Sequence, residues 1–342
     1  MGQPATVLDT IIDDLLDRTV LGGYTSLGYR LRQRSWPAAA LQPMAGKVVM
    51  ITGAASGLGL AAAAGFAKLG ASVWLVVRSQ ARGEEALGAL RGRGLGTGLQ
   101  VGVCDLSDLG SVRRFAAGFQ ASGARLDVLV NNAGVLTRTR ELSKNGIELT
   151  FAVNVVAPFL LTNLLLPRMI SSAPARIINV ASGGMYLQRL RVDDLQSERG
   201  HFDGAAAYAR TKRAEVVLTE LFAQRLDPAS VAVHAMHPGW ADTPGLRASL
   251  PGFHRLVGPL LRTAEQGADT IVWLGAAAEP AASSGRFWHD RRIRPTHVAG
   301  YAREGEADRE RLWSACVELA GLSDRPLKRP WETSDGTLPS HS

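Results

Sequence analysis

The chain has 342 residues, 46% hydrophobic and 20% charged, a balance that excludes wholesale disorder. Two cysteines, Cys104 and Cys316, exclude a disulfide framework and a four-cysteine metal site, so a reduced, cytoplasmic setting is expected. The net charge of +7 lies in residues 46–182, with 14 basic and 7 acidic side chains; this suits a phosphate-rich ligand, while the lack of a Lys/Arg run with aromatics argues against nucleic acid.

Residues 7–16 place Val7, Leu8, Ile11, Ile12, Leu15 and Leu16 on one helical stripe, with Asp9, Asp13 and Asp14 elsewhere. Gly22-Gly23 and a proline-containing linker from Trp36 to Pro43 follow, so residues 1–45 read as an appended helical arm. No basic-then-apolar signal pattern opens the chain. Val48 to Ala67 carries no charge over twenty residues, long enough to cross a bilayer. Its glycines at 53, 57, 59 and 65 fit a strand, a turn and an Ala-rich helix better.

Buried strands are predicted at 48–52, 72–77, 99–104, 126–130, 176–180 and 231–236. Helices are predicted between them at 58–69, 82–90, 108–120, 146–166 and 205–225, and then at 263–278, where Thr263 and Gln266 resemble a capping box. This alternation predicts an α/β fold: βαβ units on a doubly wound parallel sheet, in one domain over 46–322. Residues 323–342, rich in Pro, Ser and charge, are expected to fray.

The first strand runs into Thr52-Gly53-Ala54-Ala55-Ser56-Gly57-Leu58-Gly59 before a helix. Glycines permit a tight turn and close backbone approach, and the helix N-terminus offers N–H groups to a pyrophosphate. The second strand ends at Arg78 with no Asp or Glu beside it, which suits a ribose 2′-phosphate and predicts NADPH over NADH. Arg82 could add charge or simply face solvent. Asp105 follows the third strand, where it accepts from an adenine amino group or caps a turn. Asn131-Asn132-Ala133-Gly134 ends the fourth strand, as a strand tie that reaches the ribose or as a plain turn.

Tyr208 and Lys212, four residues apart, share a helix face. An ammonium stabilises a phenolate, which makes tyrosine a usable acid or base near neutral pH. Ser182 offers a hydroxyl at a strand tip, and Asn154 is an awkward polar residue inside an apolar helix.

Together TGAASGLG, NNAG, Ser182, the Tyr208–Lys212 pair and His237-Pro238-Gly239 resemble the short-chain dehydrogenase/reductase superfamily over residues 46–290. The 26-residue step from Ser182 to Tyr208, with an insertion over 185–206, resembles its retinol-dehydrogenase-like branch. The resemblance implies a Rossmann-like sheet of about seven parallel strands and a nicotinamide cofactor. It implies that Asn154, Ser182, Tyr208 and Lys212 are a catalytic tetrad, with Tyr208 as proton donor, Lys212 on the ribose, Ser182 orienting the carbonyl and Asn154 holding a water. The cofactor would lie on Gly53, Ser56, Gly57, Leu58, Gly59, Arg78, Asp105, Leu106, Asn132, Ala133, Gly134, Tyr208, Lys212, Pro238, Gly239 and Thr243. Two other classes compete. A sugar-nucleotide enzyme of the extended branch would carry T-G-x-x-G-x-x-G, and a non-catalytic dinucleotide-binding scaffold usually loses Tyr, Lys or Ser.

After Pro238-Gly239, residues Trp240, Leu246, Leu250, Phe253, Leu256, Val257, Leu260 and Leu261 form an apolar stretch over the expected nicotinamide end. It suits a small apolar or lipid-like carbonyl or alcohol. Asp193, Asp194, Glu198 and Asp203 of the insertion are expected to face water. The N-terminal helix could shield this stretch, join subunits or rest on a membrane; with little basic charge, membrane contact is the weakest of the three. Val216, Val217, Leu218, Leu221, Phe222 and Ala223 make an apolar face wider than one core stripe, which predicts a homodimer or homotetramer unless the arm or tail covers it. His234 and His237 read as structural. His201, His254, His289 and His297 lack ligand spacing, so no metal is expected. Cys104 reads as a small buried apolar residue.

Overall fold

The computed structural model describes residues 20–37, 41–249, 251–298 and 303–323. The predicted helix at 7–16, Leu250, the Phe253 side chain and the tail from 324 onward lie outside the described residues.

Two short helices, α1 (Val20–Tyr24) and α2 (Ser26–Gln33), come first. Then follow β1 (Val48–Thr52), α3 (Gly57–Lys68), β2 (Ser72–Val77), α4 (Gln80–Arg91), β3 (Leu99–Val103) and α5 (Leu109–Ala121). The second half holds β4 (Val128–Asn131), α6 (Leu149–Ser171), β5 (Ala175–Val180), α7 (Gly204–Arg225) and β6 (Val231–Met236). The chain then continues through α8 (Pro244–Ser249), α9 (Pro251–Val257), α10 (Ala264–Ala276), β7 (Arg286–His289), β8 (Arg292–Ile293) and α11 (Glu306–Leu319). The sheet order is β3-β2-β1-β4-β5-β6-β7-β8. β1 to β7 run parallel, and β8 closes the edge antiparallel to β7. The charge-free stretch 48–67 is therefore β1, the glycine turn and most of α3, as its glycines suggested.

Strand periodicity sorts the core into two layers. Val49 and Ile51 of β1 pack with the alanines of α3, with Ala86 and Leu90 of α4 and with Ile271 and Leu274 of α10. Met50 faces the other way, into a core with α5, α6, α7 and α11. Helix α6 is long and apolar enough to cross a membrane by length and composition, and most of it is buried between its neighbours.

Two expectations change here. The wide apolar face of α7 is filled within one chain: Val216, Val217, Leu218, Leu221 and Phe222 are buried. Trp313 of α11 sits edge-on, 4.9 Å from both Phe159 and Phe222. That face therefore gives no support to a homodimer or homotetramer. In addition, residues 20–37 do not stand apart as an arm. The buried Arg32 donates to Asp290 at 2.9 Å, and Arg262 donates to the same carboxylate oxygen at 2.8 Å. Both guanidinium groups also donate to the Gly23 carbonyl. Burial would raise the Asp290 carboxyl, but His289 and the two arginines hold it well below the usual carboxylate range.

Candidate active site

The carboxyl ends of parallel strands open onto a crevice where ligands bind. Here that crevice is a cavity of about 1880 Å³, larger than the roughly 300–1,000 Å³ that one small ligand needs. All sixteen residues expected to touch the cofactor line it.

At one end the backbone makes the site. Gly57 has φ +55°, in the left-handed region, and a Cβ on Gly59 would fall 2.5 Å from the Gly53 carbonyl oxygen. Only glycines let the turn close this tightly. Ser56 precedes α3 in extended conformation and makes no side-chain cap, so the first N–H groups of α3 are left for a ligand. Thr52 Oγ1 accepts from the N–H groups of Asn132 at 3.0 Å and Ala133 at 3.1 Å, while Asn132 Nδ2 donates to the Thr52 carbonyl at 2.8 Å. Asn131 Nδ2 donates to Asn179 Oδ1 at 2.9 Å, which ties β4 to β5. The two asparagines thus do the strand tying that their position suggested. Asp105 caps a turn, accepting from Ser107 N and Oγ, and lines the cavity as well. Among the described residues, Arg78 lines the cavity with no hydrogen-bond or ion-pair partner, whereas Arg82 is paired with Glu85 at 3.4 Å. An open helix N-terminus, a cradle that admits only glycine and an unpaired guanidinium fit a phosphate-bearing dinucleotide.

At the other end side chains make the site. Ser182 ends the strand-to-turn step after β5, and its Oγ accepts from Gly184 N at 3.2 Å. Asp203 caps α7 through Ala205 N and Ala206 N, and this helix presents Tyr208 and Lys212. The Lys212 ammonium lies 5.5 Å from the centre of the Tyr208 ring and donates to the Val180 carbonyl at 2.9 Å. Ser182, Tyr208 and Lys212 wall the cavity. Asn154 lies behind them in a π-turn, Ala152–Val156, a local widening of α6 of the kind often found at functional sites. Its Oδ1 accepts from Val135 N at 2.8 Å, and its Nδ2 donates to Val135 O and Thr211 Oγ1, each at 3.0 Å. The side chain thus fixes the Val135 backbone just behind the cavity wall.

The substrate end has walls that sequence reasoning missed. Tyr24 of α1 stacks on His237 at 4.7 Å and reaches His289 and Trp240. A Cβ on Gly183 would lie 2.1 Å from the Tyr24 ring, so Tyr24 lies directly beside the Ser182 turn. Arg294, Pro295, His297 and Val298 close a further side. Burial drives the His237 imidazole well below its usual value and His289 to about 4, so the stack is uncharged at neutral pH. Of the predicted apolar stretch, Trp240 and Leu246 line the cavity, Val257 and Leu261 are buried, and Leu256 is exposed. Tyr186 and Leu187 bring one end of the insertion to the wall. Asp194 departs from expectation: it is buried and accepts from Glu198 N at 2.7 Å, because the tight turn needs its cap. Cys104 is buried, which pushes its thiol up to about 12 and leaves it inert.

A parallel sheet with a dinucleotide cradle at its carboxyl ends, and Ser, Tyr and Lys on one wall, defines a dinucleotide-dependent oxidoreductase. Residues 47–251 match the short chain dehydrogenase family. The chain belongs to the short-chain dehydrogenase/reductase family. It is 41% identical over 302 residues to dehydrogenase/reductase SDR family member 12 of Homo sapiens, covering 87% of this chain and 94% of that protein. Human retinol dehydrogenase 12 is 38% identical over 279 residues, or 81% of this chain and 87% of that one. Among solved structures, L-sorbose reductase from Gluconobacter frateurii complexed with NADPH and L-sorbose aligns with a TM-score of 0.59 at 25% identity, over 73% of this chain and 96% of that one.

Proposed function

We propose that the protein reduces small apolar or lipid-like carbonyls to alcohols with NADPH. The observation that carries this reading is the wall of Ser182, Tyr208 and Lys212 facing a cavity end lined by Leu187, Trp240, Leu246 and Val298. The bound dinucleotide supplies the hydride. Tyr208 donates its phenolic proton to the carbonyl oxygen, and the Ser182 hydroxyl donates a hydrogen bond to the same oxygen. Lys212 stabilises the phenolate that remains and would hold the ribose hydroxyls of the bound dinucleotide. Asn154 holds the Val135 backbone, and with it the neighbouring Gly134, in place beneath these groups. The unpaired Arg78 supports the choice of the 2′-phosphorylated cofactor.

The test is a panel of isoprenoid, fatty and steroidal carbonyls against small ketones and sugars, run with NADPH and with NADH. Apolar substrates and NADPH should lead. Arg78→Asp should weaken NADPH about 10- to 100-fold, the worth of a charge-assisted phosphate contact, and change NADH far less. Equal losses for both cofactors would remove the NADPH preference, and faster turnover of sugars would remove the apolar substrate.

A further inference from the structure

Glu215 lies one turn beyond Lys212 on α7 and is buried with it. Its Oε1 accepts from the Lys212 ammonium at 2.7 Å. Its Oε2 is buried and has no hydrogen-bond partner. An orphaned carboxylate oxygen in the core costs stability. Burial lifts the Glu215 carboxyl to about 7 against the pull of Lys212. Burial would lower Lys212, but the Glu215 and Tyr208 charges outweigh it and hold the ammonium above its usual value.

The surroundings isolate this pair. On β5, Asn179 gives its Nδ2 to Thr219 Oγ1 at 2.8 Å, and Thr219 gives its hydroxyl to the Glu215 main-chain carbonyl at 2.8 Å. On the strands beneath α7, burial holds both His234 and His289 at about 4, so they are neutral. Of the other ions of α7, Arg213 pairs with Glu304, Glu220 with Arg309 and Arg225 with Glu310 in the C-terminal region, while Arg210 donates to Gln188 Oε1 at 3.3 Å. Among the described residues Lys212 is the one charge acting on Glu215.

We propose that Glu215 is a positioning residue: it holds the Lys212 ammonium against Val180 and offsets part of the positive charge that Lys212 presents to Tyr208. An ammonium near a phenol favours phenolate, and a carboxylate touching that ammonium cancels part of the field. Glu215 thereby keeps more of Tyr208 in the proton-donating form that carbonyl reduction uses. This rests on the reading of Tyr208 as the proton donor.

The experiment follows phenolate absorbance against pH in the full chain, without cofactor or substrate, as the difference between wild type and Tyr208→Phe. The other tyrosines cancel in that difference. The same pair is then made in a Glu215→Gln background. The Tyr208 midpoint should fall by about one pH unit, at the low end for a neighbouring charge. An unchanged or higher midpoint overturns the proposal. If the Gln variant does not fold, Glu215→Asp replaces it; drawing the carboxylate back from Lys212 should give a smaller fall, and no fall overturns the proposal equally. Because nothing turns over in this titration, an error in the proposed substrate or cofactor leaves its result untouched.

Discussion

The two ends of the cavity are built on different principles. The cofactor end uses contiguous residues, 52–59 and 132–134, whose main chain forms the surface and where Gly59 leaves no room for a Cβ and Gly53 and Gly57 take left-handed conformations. The substrate end is assembled from α1, the Gly183–Leu187 turn, α8 and residues 294–298, segments far apart in the chain. Tyr24 and residues 294–298 lie outside the stretch 47–251 that matches the family. The chemistry is thus carried by the shared body, and the flanking segments shape what can approach it.

Breaking one end should spare the other. Asp290→Asn leaves two buried guanidinium groups, Arg32 and Arg262, without their counter-charge. It should cost about 3–5 kcal/mol in urea unfolding, as loss of one partner from a buried ion pair does. It should also expose residues 20–37 to limited proteolysis; a loss below about 1 kcal/mol, the scale of a surface pair, would show that the cluster does not anchor the segment. Tyr208→Phe should reduce turnover by about a hundredfold or more while NADPH titrates as in wild type, because only the proton donor is removed. Wild-type turnover would take Tyr208 out of that role. Tyr24→Ala is the mildest and sharpest probe of the comparison. It should raise KM for apolar carbonyls about tenfold, the worth of one aromatic contact, and leave NADPH affinity alone. A change in NADPH affinity with constant KM would reverse the assignment of Tyr24 to the substrate end.

The cofactor end was legible because each motif is local. Strand, glycine turn and helix follow one another in sequence, and β1, β2 and β6 fall on their predicted residues. The C-terminal pieces were not. β7 is four residues, RFWH, with two charged or titratable side chains, and no period can be read from so short a run. α11 hides its buried Trp313 among charged neighbours, EADRERLWSACVEL. Arg32, Arg262 and Asp290 look like ordinary surface residues until the fold brings them together. Asp194 was misread for the same reason: its role as a turn cap depends on a conformation that composition does not reveal. Tyr24 carries no local signal beyond following two glycines.

The Arg32–Asp290 contact spans 258 residues of chain. At a synthesis rate of about 5–20 residues per second, the α1–α2 segment leaves the ribosome roughly 13–50 s before its anchor exists. Tyr24 gains its docking surface only once Gly183, His237 and Trp240 are made, and Arg32 gains its counter-charge later still, although the strands and helices of the cradle can already assemble. Closure of the substrate end is therefore a late, long-range event with a high loop-closure cost. The nascent chain passes through a stage in which the dinucleotide cradle is complete and the substrate end still open, a stage at which cofactor bound to the cradle would already stabilise the growing fold.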